Sequence, residues 1–556
     1  GLVVSPVPLD ENMGTLTLTT CDYPVTMLNM KEIDRQNYVK LDLLALDTVE
    51  IVNKTCELAN IPRLTPDNMV NDIKVWESIR DNTLGIFQWE SDSAQAYLKQ
   101  LFSKSTIERI RKANPNFSYI DIFSVGNGAI RPAGASYRDE LANGQFRDNG
   151  HEALNEFLAP TLGFLVYQEQ ILEFLNKFCG YSMGEADIVR RGFAKKVGTE
   201  EFIPKIKLGF INTMNKRYSI SKYESEKLIE NFLNVIIDAS DYLFSLNHST
   251  PYSCLGYACG YLRYYYPLEF ISVLLNINNG NIEKTSKITE YALKRGVNIF
   301  NPKFRFSKSE YFFDKKTNSI YKGIESIKFL NSDIGEYLYS LKDNKYDSFL
   351  ELLNDLQGHI NSKQLSILIK LDFFEEFGKS NKLLETYDIY NSIYSKKQFK
   401  KDSLPCNMEI MRRYSNKETE KFFKEVNTKE LCSYLESQIE NTDIPINEKI
   451  QAHFEFVGSC NIKDGNSNPR YCLVIDIDTK YSPKITLYNL KSGNTKIFKV
   501  NKAIFEDNKI GIYDLIYLKS TKEKAKSKKV NGKWIKSHTE TEWWIQEYWK
   551  IENLKI

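Results

Sequence analysis

A multidomain α+β chain is what the 556 residues predict, on three observations. Residues 1–50 read as short strands, 51–280 as amphipathic helices, and 446–556 as strands again. Between them, 281–380 mixes a hairpin pattern with short helices, and 381–445 is charged and helical with few strong core signals. The length allows several cores. Hydrophobic residues make up 42% and charged residues 26%, an ordinary globular profile.

The first fifty residues offer "GLVVSPVPL", "TLTLTT", "PVTMLNM" and "YVKLDLLAL", β-rich runs separated by turn residues. The stretch "NYVKLDLLAL" (37–46) reads as a buried strand with Lys40 and Asp42 two apart, hence on one face. Charges on a core strand cost desolvation unless paired or put to use. These strands are too few to stand alone, and the chain runs from Gly1 straight into one of them. A fragment, a split gene product or a processed chain is therefore expected.

Helical spacing follows in "TVEIVNKTCELANI" and "DIKVWESIRDN". "STIERIRKANP" ends at proline, "LVYQEQILEFLNKFCGYS" stops at Gly180, and "SKYESEKLIENFLNVI" has Ser221 as its N-cap. "EYFFDKKTNSIYKGI" predicts a β-hairpin around "DKKTN", followed by short helices at "DIGEYLYSL", "FLELLNDL" and "SKQLSILIKL". At the end, "HFEFVGSC", "YCLVIDIDT", "KITLYNL", "KIFKV", "DLIYLKST" and "WWIQEYWKI" predict five or six strands, a small closed barrel or sandwich.

Composition excludes several classes. No apolar run approaches the ~18–20 residues that span a bilayer, so no membrane partner is expected. Nine cysteines form no metal or disulfide framework, and the five histidines (151, 248, 359, 453, 538) offer no His-x-x-x-His pair. Reduced thiols are expected. Net charge is +2, so any nucleic-acid contact must come from local patches.

Three segments can carry chemistry. In "GEADIVRRGFAKK" (184–196), Arg190, Arg191, Lys195 and Lys196 fall within seven residues, with Arg191 and Lys195 one turn apart. Alone, such a cluster reads as a solvated face or a helix C-terminus satisfied by cations; the functional alternative is a polyphosphate clamp. The tyrosine-rich "FSLNHSTPYSCLGYACGYLRYYYPLEF" (244–270) reads first as core packing, with base stacking beside Arg263 as the alternative. "LKSTKEKAKSKKVNGKWIKSH" (518–538) holds eight lysines and one acid, and reads as a long loop between two terminal strands. Its place on an oligonucleotide-binding type of barrel suggests backbone tracking by Lys522, Lys524, Lys526, Lys528 and Lys529. Two patterns are discounted. Asp476 and Asp478 read as a polar strand face, and the clamp-peptide look of "QLSIL" (364–368) as an amphipathic helix.

In order, these segments resemble the bacterial replicative DNA polymerase III alpha subunit, the family C polymerases. "VKLDLLAL" resembles that family's Lys-x-Asp-Phe-Leu-Gly-Leu strand, and "LGIFQWES" (84–91) its Gly-Val/Ile-Phe-Gln-x-Glu-Ser motif. "IRPAGA" (130–135) resembles Arg-Pro-Gly-Pro, and "VYQEQILEF" with "GYSMGEADIVRRGFAKK" the fingers motifs. "FSLNHSTPY" resembles Phe-Asn-Lys-Ser-His-Ala-x-x-Tyr, and "NPKFRFSKSEYFF" with "YKGIESIKFL" the start of the clamp-binding region. Leu246 stands where the family has lysine, Ala194 where it has glycine, and Phe329-Leu330-Asn331 where it has Gly-Val-Gly, marking a remote branch.

The resemblance implies the C-terminal part of a nucleotidyltransferase-like palm at 1–50 and mostly helical fingers at 51–280. It implies a clamp-binding region with a helix-hairpin-helix at 281–445 and an OB-fold-like domain at 446–556. It implies template-directed addition of dNTPs to a primer with two Mg2+ ions. Asp42 would be a metal ligand and catalytic carboxylate, with Lys40 beside it. Arg190, Arg191, Lys195 and Lys196 would hold the triphosphate, with His248 and Arg131 at the nucleotide pocket, and Lys328 on DNA. One carboxylate cannot fix two metals, so an N-terminal half with two more palm aspartates is an expected partner. Primer-template DNA, a sliding clamp and other replisome subunits are the others, and the location is cytoplasmic, with the nucleoid. The alternatives are an inactive polymerase remnant that only binds DNA, and an unrelated nucleic-acid-binding assembly factor.

Overall fold

The computed structural model describes the chain apart from residues 1, 20, 37, 42–44, 132–133, 135–136, 196–198, 240–242, 531–532 and 552–556. It mixes helix and sheet throughout and divides into two compact units, Gly1–Phe270 and Ile271–Ile556. None of its described helices is long and apolar enough to cross a membrane.

In the first unit the amino-terminal strands are short. Leu2–Val4 pairs antiparallel with Val39–Leu41, placing Val3 opposite Lys40, and Thr15–Leu16 pairs with Val25–Thr26. The expectation of a buried strand at 37–46 is corrected for the part described. Val39 and Leu41 are exposed and Lys40 is half-buried, because among the described residues Leu2–Val4 is the one strand paired to it, and its own Leu2 and Val4 are exposed too.

The helical stretch holds. Asp47–Ala59, Ile73–Asp81, Lys104–Ala113 and Gln168–Cys179 lie where apolar spacing puts them. Gly180 ends the last of these in the left-handed region at φ 76°. Ser221 caps Lys222–Ala239 through the Glu224 amide, and Glu224 returns a bond to the Ser221 amide. Four helices (Gln168–Cys179, Met183–Lys195, Thr199–Tyr218 and Lys222–Ala239) enclose an aromatic core of Phe174, Phe178, Phe193, Phe210 and Phe232. The crossing of the first and third is tight: a Cβ on Gly209 would collide with the Cys179 carbonyl.

The tyrosine-rich helix Leu246–Tyr265 packs against Tyr119–Ala129, Asp47–Ala59 and Ile73–Asp81. Its stripe is core. Tyr257 is buried on Trp76 with ring centroids 4.5 Å apart, and its hydroxyl donates to the Val70 carbonyl. Arg263 is fully buried and donates to the carbonyls of Leu84 and Ser78, so its guanidinium serves the core.

In the second unit, Phe312–Asp314 and Ser319–Tyr321 form the expected hairpin, extended by a parallel pairing to Asn298–Phe300. Ser332–Ser340, Phe349–Leu356 and Ser362–Lys370 are the expected helices, and Leu365, Ile367 and Leu368 of "QLSIL" are core. Residues 381–445 differ from expectation. They add a three-stranded sheet of Gln398–Lys400, Phe422–Val426 and Ser415–Glu418. They also supply Leu383, Tyr390, Phe399, Met411, Phe423 and Leu431 to the large core of this unit.

The carboxy-terminal strands close a five-stranded barrel: Tyr471–Asp478, Lys484–Asn489, Thr495–Val500, Lys533–Ile551 and Leu515–Val530, in that order around the ring. Val474, Leu487, Phe498, Ile516 and Ile545 share one cluster, while Leu473, Tyr488 and Leu515 pack with Ile450 in another. "HFEFVGSC" is not a strand. It is the end of the helix Ile446–Val457, capped by Gly458, whose Ile450 joins that second cluster while Ala452 joins the large core. The lysine-rich run is not a loop either. Leu515–Val530 and Lys533–Ile551 continue past the barrel as a paired hairpin. Asp476 and Asp478 lie on a barrel strand, as expected, and Asp478 bridges to Lys484.

Candidate nucleotide-binding site and nucleic-acid interface

Tyr167-Gln168-Glu169-Gln170 opens the helix Gln168–Cys179, and each of its side chains has a structural partner. Gln170 accepts from the amides of Val166 and Tyr167 and donates to Thr161 Oγ1, fixing the helix start. The Tyr167 hydroxyl lies 3.1 Å from Ser124 Oγ, and burial pushes its phenol up to about 12. Gln168 donates to the Leu243 carbonyl. Glu169 accepts from Ser245 Oγ and from the Leu246 amide, both at 2.8 Å. A parallel bridge joins Tyr167 to Phe244. These bonds fasten Leu243–Leu246, and with it the start of the next long helix, to the first.

Three of the expected nucleotide-binding residues converge on this junction. Arg131 follows the helix Tyr119–Ala129, in a turn held by Arg138, which donates to the carbonyls of Ala129, Ile130 and Arg131. The Arg131 guanidinium lies 4.1 Å from the Phe244 ring centroid. His248, exposed in the first turn of Leu246–Tyr265, has its ring 6.4 Å from the same Phe244 ring and 5.7 Å from Tyr252. Arg190 donates to Gln168 Oε1 at 3.1 Å, on the amide that also holds Leu243. Cations beside the positive end of a helix favour an anion there.

Arg190 and Arg191 share Asp187, at 2.9 and 2.7 Å. The Arg190 hydrogen bond, more than the nearby charges, holds the Asp187 carboxyl below the usual carboxylate range. Arg191 is well exposed beside it. The cluster is therefore neither the plain solvated face nor an unshielded clamp: one carboxylate orients both guanidinia. Lys195 lies in the same helix, with its side chain outside the described residues, and Lys196 lies outside them altogether. Asp42 is also outside them, while Lys40 sits on the strand Val39–Leu41. Among the described residues, no group of three or more His, Cys, Asp or Glu is placed to hold a metal ion.

Of the expected DNA-contacting residues, Lys328 is exposed, with its ammonium 5.3 Å from the Phe329 ring. Phe329 has φ 74°, the left-handed conformation that favours glycine, where the resemblance also expects glycine. Lys522, Lys524 and Lys526 are exposed on the hairpin, and Lys524 lies 4.2 Å from the Trp544 ring. Lys528 and Lys529 pair through their backbones with Ile535 and Trp534. Their side chains lie outside the described ones. Sequence reasoning missed Gln168, Asp187 and Phe244 as the parts that gather the cations. It also missed an aromatic ladder on the barrel. Tyr471, Tyr517 and Trp549 stand with adjacent centroids 5.6 Å apart, and Trp549 is 50% exposed. Charge periodicity signals none of these; the four tryptophans of the last 23 residues are the one trace of the ladder.

Comparison with known proteins covers one side of the junction, the Tyr167–Gln170 side. Residues 132–218 match the family model described as the bacterial DNA polymerase III alpha subunit finger domain. The chain is 26% identical over 397 residues to the DNA polymerase III subunit alpha of Ureaplasma parvum, covering 68% of this chain and 38% of that protein. It is 28% identical over 383 residues to that of Campylobacter jejuni, covering 65% and 30%. With that of Buchnera aphidicola it is 25% identical over 555 residues, covering 94% and 43%. The chain spans less than half the length of these relatives. It is thus a divergent relative of a portion of the DNA polymerase III alpha subunit, matching the finger-domain model of that subunit at residues 132–218.

Proposed function

We propose that this chain is the fingers-bearing, C-terminal part of a replicative DNA polymerase that adds deoxynucleotides to a DNA primer under template direction. The observation that carries the reading is the convergence of Arg131, Arg190 and His248 on the Tyr167–Glu169 and Leu243–Leu246 junction. Fixed cations at a helix start suit the charge of a triphosphate better than that of any neutral substrate. In this proposal Arg190, Arg191, Lys195 and Lys196 hold the incoming dNTP, with Arg131 and His248 on the pocket wall. Asp42 and Lys40 belong to the catalytic centre. The regions are palm at 1–50, fingers at 51–280, a clamp-binding region with a helix-hairpin-helix at 281–445, and an OB-like domain at 446–556.

The described residues do not make a two-metal site by themselves. The proposal takes Asp42 as one ligand and assigns two further carboxylates to the part of the relatives that this sequence does not cover. When bound, Mg2+ would offset the triphosphate charge and favour ionisation of the primer hydroxyl. The partners are primer-template DNA, the region bearing those carboxylates, a sliding clamp and other replisome subunits, with the nucleoid in the cytoplasm as the place of action.

Primer extension tests this. The 556-residue chain alone is expected to give none, and its assembly with an N-terminal half bearing the carboxylates is expected to extend. Asp42→Asn should abolish that extension with DNA binding intact; extension untouched by Asp42→Asn overturns the assignment. A second reading, DNA binding without catalysis, is favoured by the Tyr471–Tyr517–Trp549 ladder beside the lysine hairpin. It prevails if no assembly extends a primer while single strands still bind. In either reading, changing the five hairpin lysines to glutamine flattens the salt dependence of single-strand binding, by roughly 0.7 in log–log slope per lost phosphate contact.

A further inference from the structure

We propose that the cavity floored by Lys322, in the second unit, is a binding site for a phosphate-bearing small molecule of nucleotide size. The cavity measures about 750 Å³, in the range of small-molecule sites. Its walls come from the helix Ile282–Lys294, the strand Asn298–Phe300, the turn after Gly458 and the turn before Thr495–Val500. Ser286, Thr289, Asn301, Asn461 and Asn494 give it hydroxyl and amide donors, and Lys496 a cation at the wall. The carboxylate in the lining, Glu290, is ion-paired with Lys294.

Lys322 sits at the floor with 4% of its surface exposed. Its ammonium donates to Ser459 Oγ at 2.7 Å and has no carboxylate within ion-pair distance among the described residues. A buried cation with one neutral partner is costly. Its titratable neighbours do not supply a counter-charge. His453 is 2% exposed with no hydrogen-bond partner on either ring nitrogen. Burial, with the charges of Lys322 and Lys449, pushes its imidazole down to about 3, so it stays neutral. Burial also raises the Cys460 thiol, which stays protonated. Lys449 is itself paired with Asp372 and Asp443. Burial brings the Lys322 ammonium down to about 8, still mostly charged at neutral pH. The charge lacks an anion, and the cavity above it offers donors to one.

The experiment uses the full chain and three probes: inorganic pyrophosphate, a deoxynucleoside monophosphate, and a single-stranded oligonucleotide. Binding is read by calorimetry. Occupancy of the floor is read by protection of Lys322 from an amine-acylating reagent at pH 8, mapped by peptide mass spectrometry. Pyrophosphate and the monophosphate are expected to bind and to protect Lys322. Lys322→Met should weaken both at least about tenfold, the loss expected for a charge-assisted hydrogen bond. Arg190→Met should leave the protection of Lys322 unchanged, whatever it does to total binding, which separates this cavity from the proposed dNTP site. Thr289→Val, at the rim, should weaken binding less than Lys322→Met and serves should that variant fail to fold. Protection by the oligonucleotide at equal phosphate concentration would move the ligand to the DNA backbone and overturn the small-molecule assignment. Unprotected Lys322, or binding indifferent to both Lys322→Met and Thr289→Val, would leave a merely structural lysine.

Discussion

Replacing Glu169 tests whether the Tyr167–Gln170 stretch fixes the start of the helix that carries His248. Its carboxylate accepts from Ser245 Oγ and the Leu246 amide, both at 2.8 Å. A hydrogen bond to a charged group contributes about 1.5–3 kcal/mol, and a carboxylate at a helix start about 0.3–1 kcal/mol. Glu169 is half-buried, so water screens part of this and the low end applies. Glu169→Gln keeps one acceptor oxygen and turns an amide N–H toward the other donor, a loss of about 1.4 kcal/mol. Glu169→Ala removes both acceptors, a loss of about 2.5 kcal/mol. A chain of two units does not unfold in one step, so the assay is hydrogen exchange over residues 243–250 in the intact chain. Local opening there should speed roughly tenfold for Gln and roughly seventyfold for Ala. Ser245→Ala should reproduce part of the effect and add little to Glu169→Ala. Unchanged exchange in both Glu169 variants would refute the reasoning.

Two further outcomes are expected. His453 has its folded pKa at about 3, below the ordinary imidazole value, so its contribution is present above about pH 6.5 and is lost as pH falls toward 3. Between pH 7 and pH 5 this costs about 2 kcal/mol, and His453→Phe should remove that slope from the urea midpoint of the second unit; an unaltered slope refutes it. At Phe329, both Ala and Gly lose the ring contacts to Lys363 and Phe456, but only Gly relieves the positive φ. Phe329→Gly should therefore be more stable than Phe329→Ala by about 1 kcal/mol in the same assay; the reverse order would show that the left-handed backbone is not strained.

Sequence periodicity carried most of the helices and the barrel, because their buried faces recur at fixed spacing. Ile485 and Leu487, or Phe498 and Val500, announce a strand by alternation alone. The failures have local causes. "HFEFVGSC" begins inside a helix, and its alternation hides Ile446, Ile450 and Phe454, spaced four apart from Pro445 onward. Three strands between 398 and 426 are only three to five residues long, too short to show a period. The lysine run pairs through its backbone, which leaves no mark on side-chain polarity. At the site, motif order pointed to Arg131, Arg190 and His248. The groups that bring them together are neutral or acidic (Gln168, Phe244, Asp187), and act through tertiary contacts of widely separated positions, 22 for Arg190 to Gln168 and 75 for Gln168 to Leu243, and from Arg131 to Phe244, or through a single shared carboxylate.

The long terminal hairpin has one more consequence. The strand Leu515–Val530 pairs with Tyr471–Asp478 at Leu515–Tyr517, and the partner strand joins Thr495–Val500 at Trp544 and Ile545, opposite Lys522 and Thr521. Beyond that, Lys524–Val530 and Lys533–Glu542 pair with each other, and no third strand joins them among the described pairings. A two-stranded ribbon without a core is marginal in water, and repulsion among its lysines opposes it further. Counter-ions or a polyanion would relieve that repulsion. The ribbon's shape then becomes a function of ionic strength: its order and its affinity for a strand rise or fall as one equilibrium, and a measured binding constant would contain a folding constant within it.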